Sequence, residues 1–425
     1  MTDDRAANQP PTASADRPTD AAPAAAQPDP PIPLTEPAGG VPQVLTSQTE
    51  FDAAAASLAA GVGPIALDTE RASGFRYSQR AYLVQLRRQG GGSFLIDPID
   101  EPGGLSAISN VLCDAEWVLH AADQDLPSLR ELGFQCSKLY DTELGCRLLG
   151  LPRVNLAEMV NHFLHLGLAK GHGAADWSQR PLPADWLNYA ALDVEVLIEL
   201  RDAVDAALTE AGKSEWARQE FDWIRTRPEP AEKPDRWRRT SGIHGVKGAR
   251  SLAIVRELWT SRDELARARD IAPGRVLPDS AIVAAATTPP KSISDLTAMP
   301  VFKGPRQRRQ AGRWFAAIDH AQRLPESELP RRNPKTTGLP PTNRWDERNP
   351  AADARYKAIR PAITELAEAH SLPTENLLAP DLVRQLCWDG FAANTESGVA
   401  DRLAATDARP WQQQLVVPAI VTALQ

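Results

Sequence analysis

The stretch Pro64-Ile65-Ala66-Leu67-Asp68-Thr69-Glu70-Arg71 constrains this chain more than any other. Gly61, Gly63 and Pro64 interrupt structure before it, and Ile65, Ala66 and Leu67 supply a short apolar run, so the segment reads as a buried strand. Asp68 and Glu70 are two apart, so on a strand both point to one face. Two carboxylates facing the same way repel unless a cation lies between them, and hard divalent ions use such oxygen clusters. The competing reading is a solvated strand end that runs into a turn.

The rest of the chain supplies the setting. Residues 1–42 are rich in Pro, Ala, Asp and Thr, and are expected to form a disordered tail, with order starting near Val41–Leu45. Thr49–Leu58 reads as a short helix. Residues 81–86 and 93–97, separated by Gly90-Gly91-Gly92, read as two further strands of an antiparallel meander with the first. Glu116–His120 and Lys138–Asp141 read as strands alternating with helices, and the pattern is then mostly helical to about Ala211. Strands first, then alternation, predict an α/β domain with a mixed sheet.

Two more clusters carry chemistry. In His120-Ala121-Ala122-Asp123-Gln124-Asp125-Leu126, Asp123 fits a helix cap and Asp125 is left to project toward the first strand. In Tyr189-Ala190-Ala191-Leu192-Asp193, Tyr189 and Asp193 are i and i+4 and share one helix face, an arrangement that is commonly a surface hydrogen bond and alone signifies little. Upstream, Arg180 is a candidate to hold a phosphate or pair with a carboxylate, and Trp177 is read as a core anchor.

The net charge of −8 argues against a polyanionic partner. It is unevenly spread, however. Between Arg225 and Arg348 there are roughly 25 Lys and Arg against roughly 14 Asp and Glu, which marks either a phosphate-binding region or a solvated helical surface. Arg306, Arg308, Arg309 and Arg313 cluster there after Gly304-Pro305, where a helix N-terminus favours phosphate. Four scattered cysteines without a CxxC pair speak against zinc and disulfides and for a reducing cytoplasm. No secretory leader and no apolar run of about 18 residues is visible, so no membrane role is expected.

Taken in order, Asp68-Thr69-Glu70, His120 to Asp125, and Tyr189 to Asp193 resemble the three motifs of the DEDD superfamily of 3′–5′ exonucleases. The resemblance is to the ribonuclease D type of the DEDDy branch, with Trp177-Ser178-Gln179-Arg180-Pro181-Leu182 and Lys170 matching the stretch before the third motif. Tyr189 sets the branch; the DEDDh branch would place a histidine at the position of Asn188. Trp237-Arg238-Arg239-Thr240 and the helical stretch from Arg250 to about Gln322 resemble the linker and HRDC domain of the same family. The fold implied is an α/β ribonuclease H-like domain over 43–213, a linker over 214–245, an all-α HRDC domain over 246–325, a linker over 326–350 and a second helical, HRDC-like domain over 351–425.

The resemblance also implies a chemistry: hydrolysis of RNA 3′ ends with two divalent ions, Mg²⁺ or Mn²⁺, releasing nucleoside 5′-monophosphates. Asp68 would bridge both ions, Glu70 and Asp193 would complete the water-activating site, Asp125 would serve the other ion, and Tyr189 would orient the water. Lys170, Arg180, Arg306, Arg308 and Arg309 are the substrate-binding candidates. The implied partners are tRNA precursors or other structured RNA, acted on by a monomer. Two other readings compete: a DNA exonuclease of the same superfamily, since carboxylates do not read the sugar, and a non-catalytic nucleic-acid-binding scaffold. The four intact carboxylates oppose the second.

Overall fold

The computed structural model describes residues 30–169, 171–229, 231–232, 234–332 and 338–425. Its central framework is a six-stranded mixed sheet formed by β2 (Val44–Leu45), β3 (Val62–Arg71), β4 (Ala81–Gln89), β5 (Gly92–Ile96), β6 (Glu116–Leu119) and β7 (Lys138–Asp141), in the order β2-β5-β4-β3-β6-β7. β3, β4 and β5 form the antiparallel meander, whereas β6 and β7 run parallel to β3. Helices cover both faces, which is why β3 is buried along Ile65–Leu67 rather than alternating.

The register positions the site. β3 pairs with β6 only at Ile65↔Trp117 and Ala66↔Val118. Beyond Ala66 the strand continues against β4 alone, so Asp68 and Glu70 project where the sheet splits. After β6 the chain turns through Ala121, at φ 64, into a short 3₁₀ turn (Ala122–Gln124) and the helix Leu126–Glu131.

Three sequence expectations need correction. The tail does not extend to residue 42: β1 (Ile32–Leu34) pairs in parallel with β8 (Leu166–Leu168), and Asn188 donates to the Thr35 carbonyl at 2.8 Å. Residues 1–29 lie outside the described residues. Residues 214–226 are no linker but the helix Ser214–Thr226, which buries Ala217, Phe221 and Ile224 and sets Phe221 4.8 Å from the Tyr140 ring of β7. Its many charged side chains disguise that stripe. Finally, residues 342–348 of the expected second linker are helical, with Trp345 fully buried.

Six helices from Ala249 to Arg323 close around Leu252, Leu258, Ile282, Phe302, Trp314 and Ile318. The helices from Trp345 to Ala423 instead share a continuous core with the sheet, in which Ile359, Leu386 and Trp411 belong to the same cluster as Leu67 and Trp117. Among the described residues, no helix is long and apolar enough to cross a membrane.

Candidate active site

The site forms where β3, the turn after β6 and the helix Ala184–Glu195 converge. That helix presses Ala190, Ala191, Leu192 and Val194 into the core, so its other face carries Tyr189 and Asp193 toward β3. Asp68, Glu70 and Asp193 then each present a carboxylate oxygen within 4.8 Å of one another. Asp125 stands beside this triad rather than in it. Its Oδ1 accepts from the Thr69 hydroxyl at 2.6 Å and lies 3.7 Å from the Arg71 guanidinium. Its Oδ2 has no partner among the described residues.

The electrostatics follow from burial and crowding. Burial first, then the charges of Asp125, Asp193 and Glu70, push Asp68 well above the ordinary carboxylate range. Burial, then Asp193 and Asp125, raise Glu70 to about 9 against the pull of Arg71. Asp193 rises to about 7 through burial, offset by a hydrogen bond from Tyr189. Asp125 rises to about 6 through burial, offset by Thr69 and Arg71. This donor set fits a divalent metal: hard, oxygen-only ligands, Glu70, Asp125 and Asp193 buried and Asp68 half-buried, repel one another and are what such an ion holds together. Partial burial, then the charges of Asp193 and Glu70, push the half-buried Tyr189 hydroxyl further above its ordinary value.

A cavity of about 350 Å³ opens beside the carboxylates, lined by Glu70, Arg71, Gly74, Gln124 and Ala175 among others. Its far wall is the loop after Lys170. Gly171 lies directly on the Tyr189 ring; a Cβ there would fall 1.6 Å from Cε2, so no other residue fits. A larger cavity of about 800 Å³ lies against the C-terminal helices and reaches this region through Gln124.

The remaining candidates separate. Arg180 does not face the carboxylates. Its Nε donates to Asp97, and its terminal nitrogens donate to the carbonyls of Trp177, Gln179 and Tyr82 at 2.7–2.8 Å. Four of its five N–H donors are spent inside the protein, so it ties the segment before the third motif to the sheet. Trp177 is fully buried, as its core reading requires. Lys170 lies outside the described residues. Arg306 and Arg309 face a cavity between the two domains, whereas Arg308 is exposed outside its lining.

Asp123 caps nothing and pairs with Arg227. The capping falls to Asp141, a residue that sequence reasoning passed over. Its buried carboxylate accepts the N–H groups of Ala121, Ala122, Glu143 and Leu144 at 2.8–3.1 Å. It therefore caps its own helix and clamps the turn that carries Asp125. The signal was present as Asp141-Thr142-Glu143 after a strand, an N-cap signature.

Residues 42–208 match the family described as 3′–5′ exonuclease, residues 251–318 the HRDC domain, and residues 338–424 the 3′ to 5′ exonuclease C-terminal domain. The chain is 28% identical to ribonuclease D of Escherichia coli over 369 residues, 85% of this chain and 92% of the relative. A crystal structure of a protein from Bifidobacterium adolescentis is 38% identical with a TM-score of 0.83, covering 93% of this chain and 99% of that one. The crystal structure of Escherichia coli RNase D, described as an exoribonuclease involved in structured RNA processing, superposes with a TM-score of 0.64 at 26% identity over 90% of this chain and 98% of that one. With three family matches in this order and the carboxylates gathered at the end of β3, the chain belongs to the ribonuclease D family of 3′–5′ exoribonucleases.

Proposed function

We propose that the protein trims RNA from its 3′ end with two divalent ions, Mg²⁺ or Mn²⁺, and releases nucleoside 5′-monophosphates. The observation that carries this reading is the triad of Asp68, Glu70 and Asp193, whose carboxylate oxygens lie within 4.8 Å of one another, with Tyr189 one turn before Asp193 on its helix. When bound, the ions lower the pKa of water and offset charge on the leaving 3′-oxygen. The chain's own residues do the rest. Asp68, Glu70 and Asp193 hold the ions, and Asp125 offers its unpartnered Oδ2 from the side. The Tyr189 hydroxyl positions the attacking water; a phenol, with an ordinary pKa near ~10, is a poor base at neutral pH. Asp141 keeps Asp125 in place, and Gly171 lets the loop close over Tyr189. The substrates are 3′ ends of tRNA precursors or other structured RNA, and the enzyme works as a cytoplasmic monomer, a setting that suits four free cysteines.

The test is a degradation assay on 5′-labelled RNA and the matching DNA. Wild type should give a ladder shortening from the 3′ end with Mg²⁺ or Mn²⁺ and none with EDTA, with RNA preferred. Asp68→Ala should cut the rate by about a thousandfold, equivalent to about 4 kcal/mol of barrier, while the fold survives. Full activity in that variant, or no shortening of either strand by wild type, would overturn the assignment.

A further inference from the structure

The loop that follows the catalytic strand serves two cavities. Gly74 lines the one beside the carboxylates. Phe75 and Arg76 line a second, of about 420 Å³, whose opposite wall is built from the helical domain by Arg269, Arg275, Arg306 and Arg309. Five guanidinium groups thus surround one space. Its single carboxylate, Asp176, accepts the backbone N–H and hydroxyl of Ser178 on one oxygen, Oδ1. Other arginines of the same helical domain are paired: Arg262 with Asp279, Arg267 with Asp263, Arg313 with Glu264. None of the five makes an ion pair among the described residues.

Five guanidinium groups against one carboxylate leave an excess of positive charge that disfavours itself unless an anion joins it. Two are held by their Nε groups, Arg275 on the Gly74 carbonyl at 2.8 Å and Arg76 on the Ser178 hydroxyl at 2.7 Å, which leaves their terminal nitrogens available. Arg275 also stacks 3.9 Å over the Phe75 ring, which fixes its plane. The walls are joined by a backbone hydrogen bond from Ala272 N–H to the Phe75 carbonyl at 2.9 Å, so the space exists before any ligand arrives.

We propose that this cavity grips the phosphodiester backbone of single-stranded RNA a few nucleotides upstream of the bond being cut. The proposal rests on the exonuclease reading and adds to it a length requirement. Forked guanidinium donors read phosphate and not base, so the grip is independent of sequence. Phe75 lies only five positions after Glu70, a span of at most about 18 Å. An unpaired 3′ extension that reaches across this span engages both cavities; a shorter one engages only the carboxylates. Trimming therefore slows when the remaining extension no longer bridges the two.

The test uses the full chain with Arg269→Ala and Arg306→Ala combined, since neither side chain hydrogen-bonds another described residue and the fold should be untouched. With a long unstructured RNA, KM should rise about 10–100-fold at unchanged kcat, and the salt slope of binding should fall by about 1.4, the value for two phosphate contacts on a single strand. With a dinucleotide, kcat/KM should not change. The paired Lys variants should recover much of the long-RNA affinity. Fluorescence anisotropy of labelled RNA in EDTA reads the cavity without turnover, so a wild type that cuts nothing would defeat the exonuclease reading while leaving this measurement decisive. Equal losses on both substrates, or no loss on the long RNA, would overturn the proposal. So would weakened binding of free adenosine monophosphate with the long-RNA KM unchanged, which would assign the cavity to a free nucleotide.

Discussion

The two helical regions that follow the exonuclease fold are attached to it by opposite means. The C-terminal helices share its apolar core. Trp411 stacks on Trp216 at 4.8 Å and gives its indole N–H to the buried Glu220, which also accepts from Arg409. Lys213 donates to the carbonyls of Leu148 and His370, both at 2.7 Å. Gly150, at φ 79, passes so near Ser371 that a Cβ would fall 2.3 Å from its carbonyl oxygen. The HRDC region keeps a core of its own and meets the exonuclease domain through polar groups. Asp270 accepts the N–H groups of Tyr77 and Ser78 and the hydroxyl of Tyr82, and the Tyr77 hydroxyl donates to Asp263. A seam of buried apolar surface cannot open without unfolding, whereas a polar, solvated seam can adjust around a substrate. One region is thus part of the exonuclease body, and the other is a jaw beside its mouth.

The contrast is broken or sharpened by experiment, the strongest first. Trp411→Ala should cost about 3–5 kcal/mol in urea unfolding and should speed amide exchange in β7 as well as in the C-terminal helices. Trp314→Ala, equally buried in the HRDC core, should loosen that region alone and leave turnover of a dinucleotide intact. If Trp411→Ala spared β7, the shared core would not be one cooperative unit.

Varying pH tests the sheet against the polar seam, because the two have opposite signs. The folded-state pKa values of Glu70, Asp193 and Asp125 lie above their ordinary values. Their contribution to metal-free stability is complete below about pH 4 and is lost as pH rises toward 9. A Tm decline on the order of 5 °C across that range, reversed by Mg²⁺, is expected. Burial alone would raise Asp270, but hydrogen bonds from Ser78 and Tyr82 and the charge of Arg80 outweigh it and hold Asp270 below its ordinary value. Its contribution is present above that value and fades as pH falls through the lowered one. Small-angle scattering should therefore show the HRDC region loosening in acid while the metal-free sheet gains stability.

The smallest effect is local. Asp270 sits at φ 47 as the left-handed C-cap of the helix Ala249–Arg269. Asp270→Asn keeps a residue suited to that conformation and should lower long-RNA affinity by only a few-fold. Asp270→Ala loses both the conformation and the acceptor, should cost about 1–3 kcal/mol at the seam, and should widen the distance between labels on the two domains. Identical behaviour of the two variants would show that the carboxylate's charge, and not the cap, holds the seam.

The carboxylates were legible because their placement is local. Asp68 and Glu70 obey the period of a strand, and Tyr189 and Asp193 that of a helix. The fate of Arg180 was not legible, because its partner Asp97 lies 83 residues away and a guanidinium fits phosphate and carboxylate alike. Asp141 was hidden for a related reason: half of its bonds are local, but the half that matters to Asp125 crosses to the turn after a neighbouring strand. The helix over 214–226 was masked by its own surface charge. The depth of the C-terminal seam leaves no local period at all, since it is written in which apolar faces meet and not in their spacing.

That seam has a consequence for how the molecule comes into being. The first and last regions of the chain complete one core, so the HRDC region is an insertion within a single folding unit. Roughly 180 residues separate the helix Ser214–Thr226 from the helix Pro410–Ala423, and at about 5–20 residues per second their synthesis takes about 10–40 s. For that interval the nascent nuclease waits with Trp216 and its neighbours uncovered, and the catalytic sheet reaches its final stability only once the helix Pro410–Ala423 has left the ribosome.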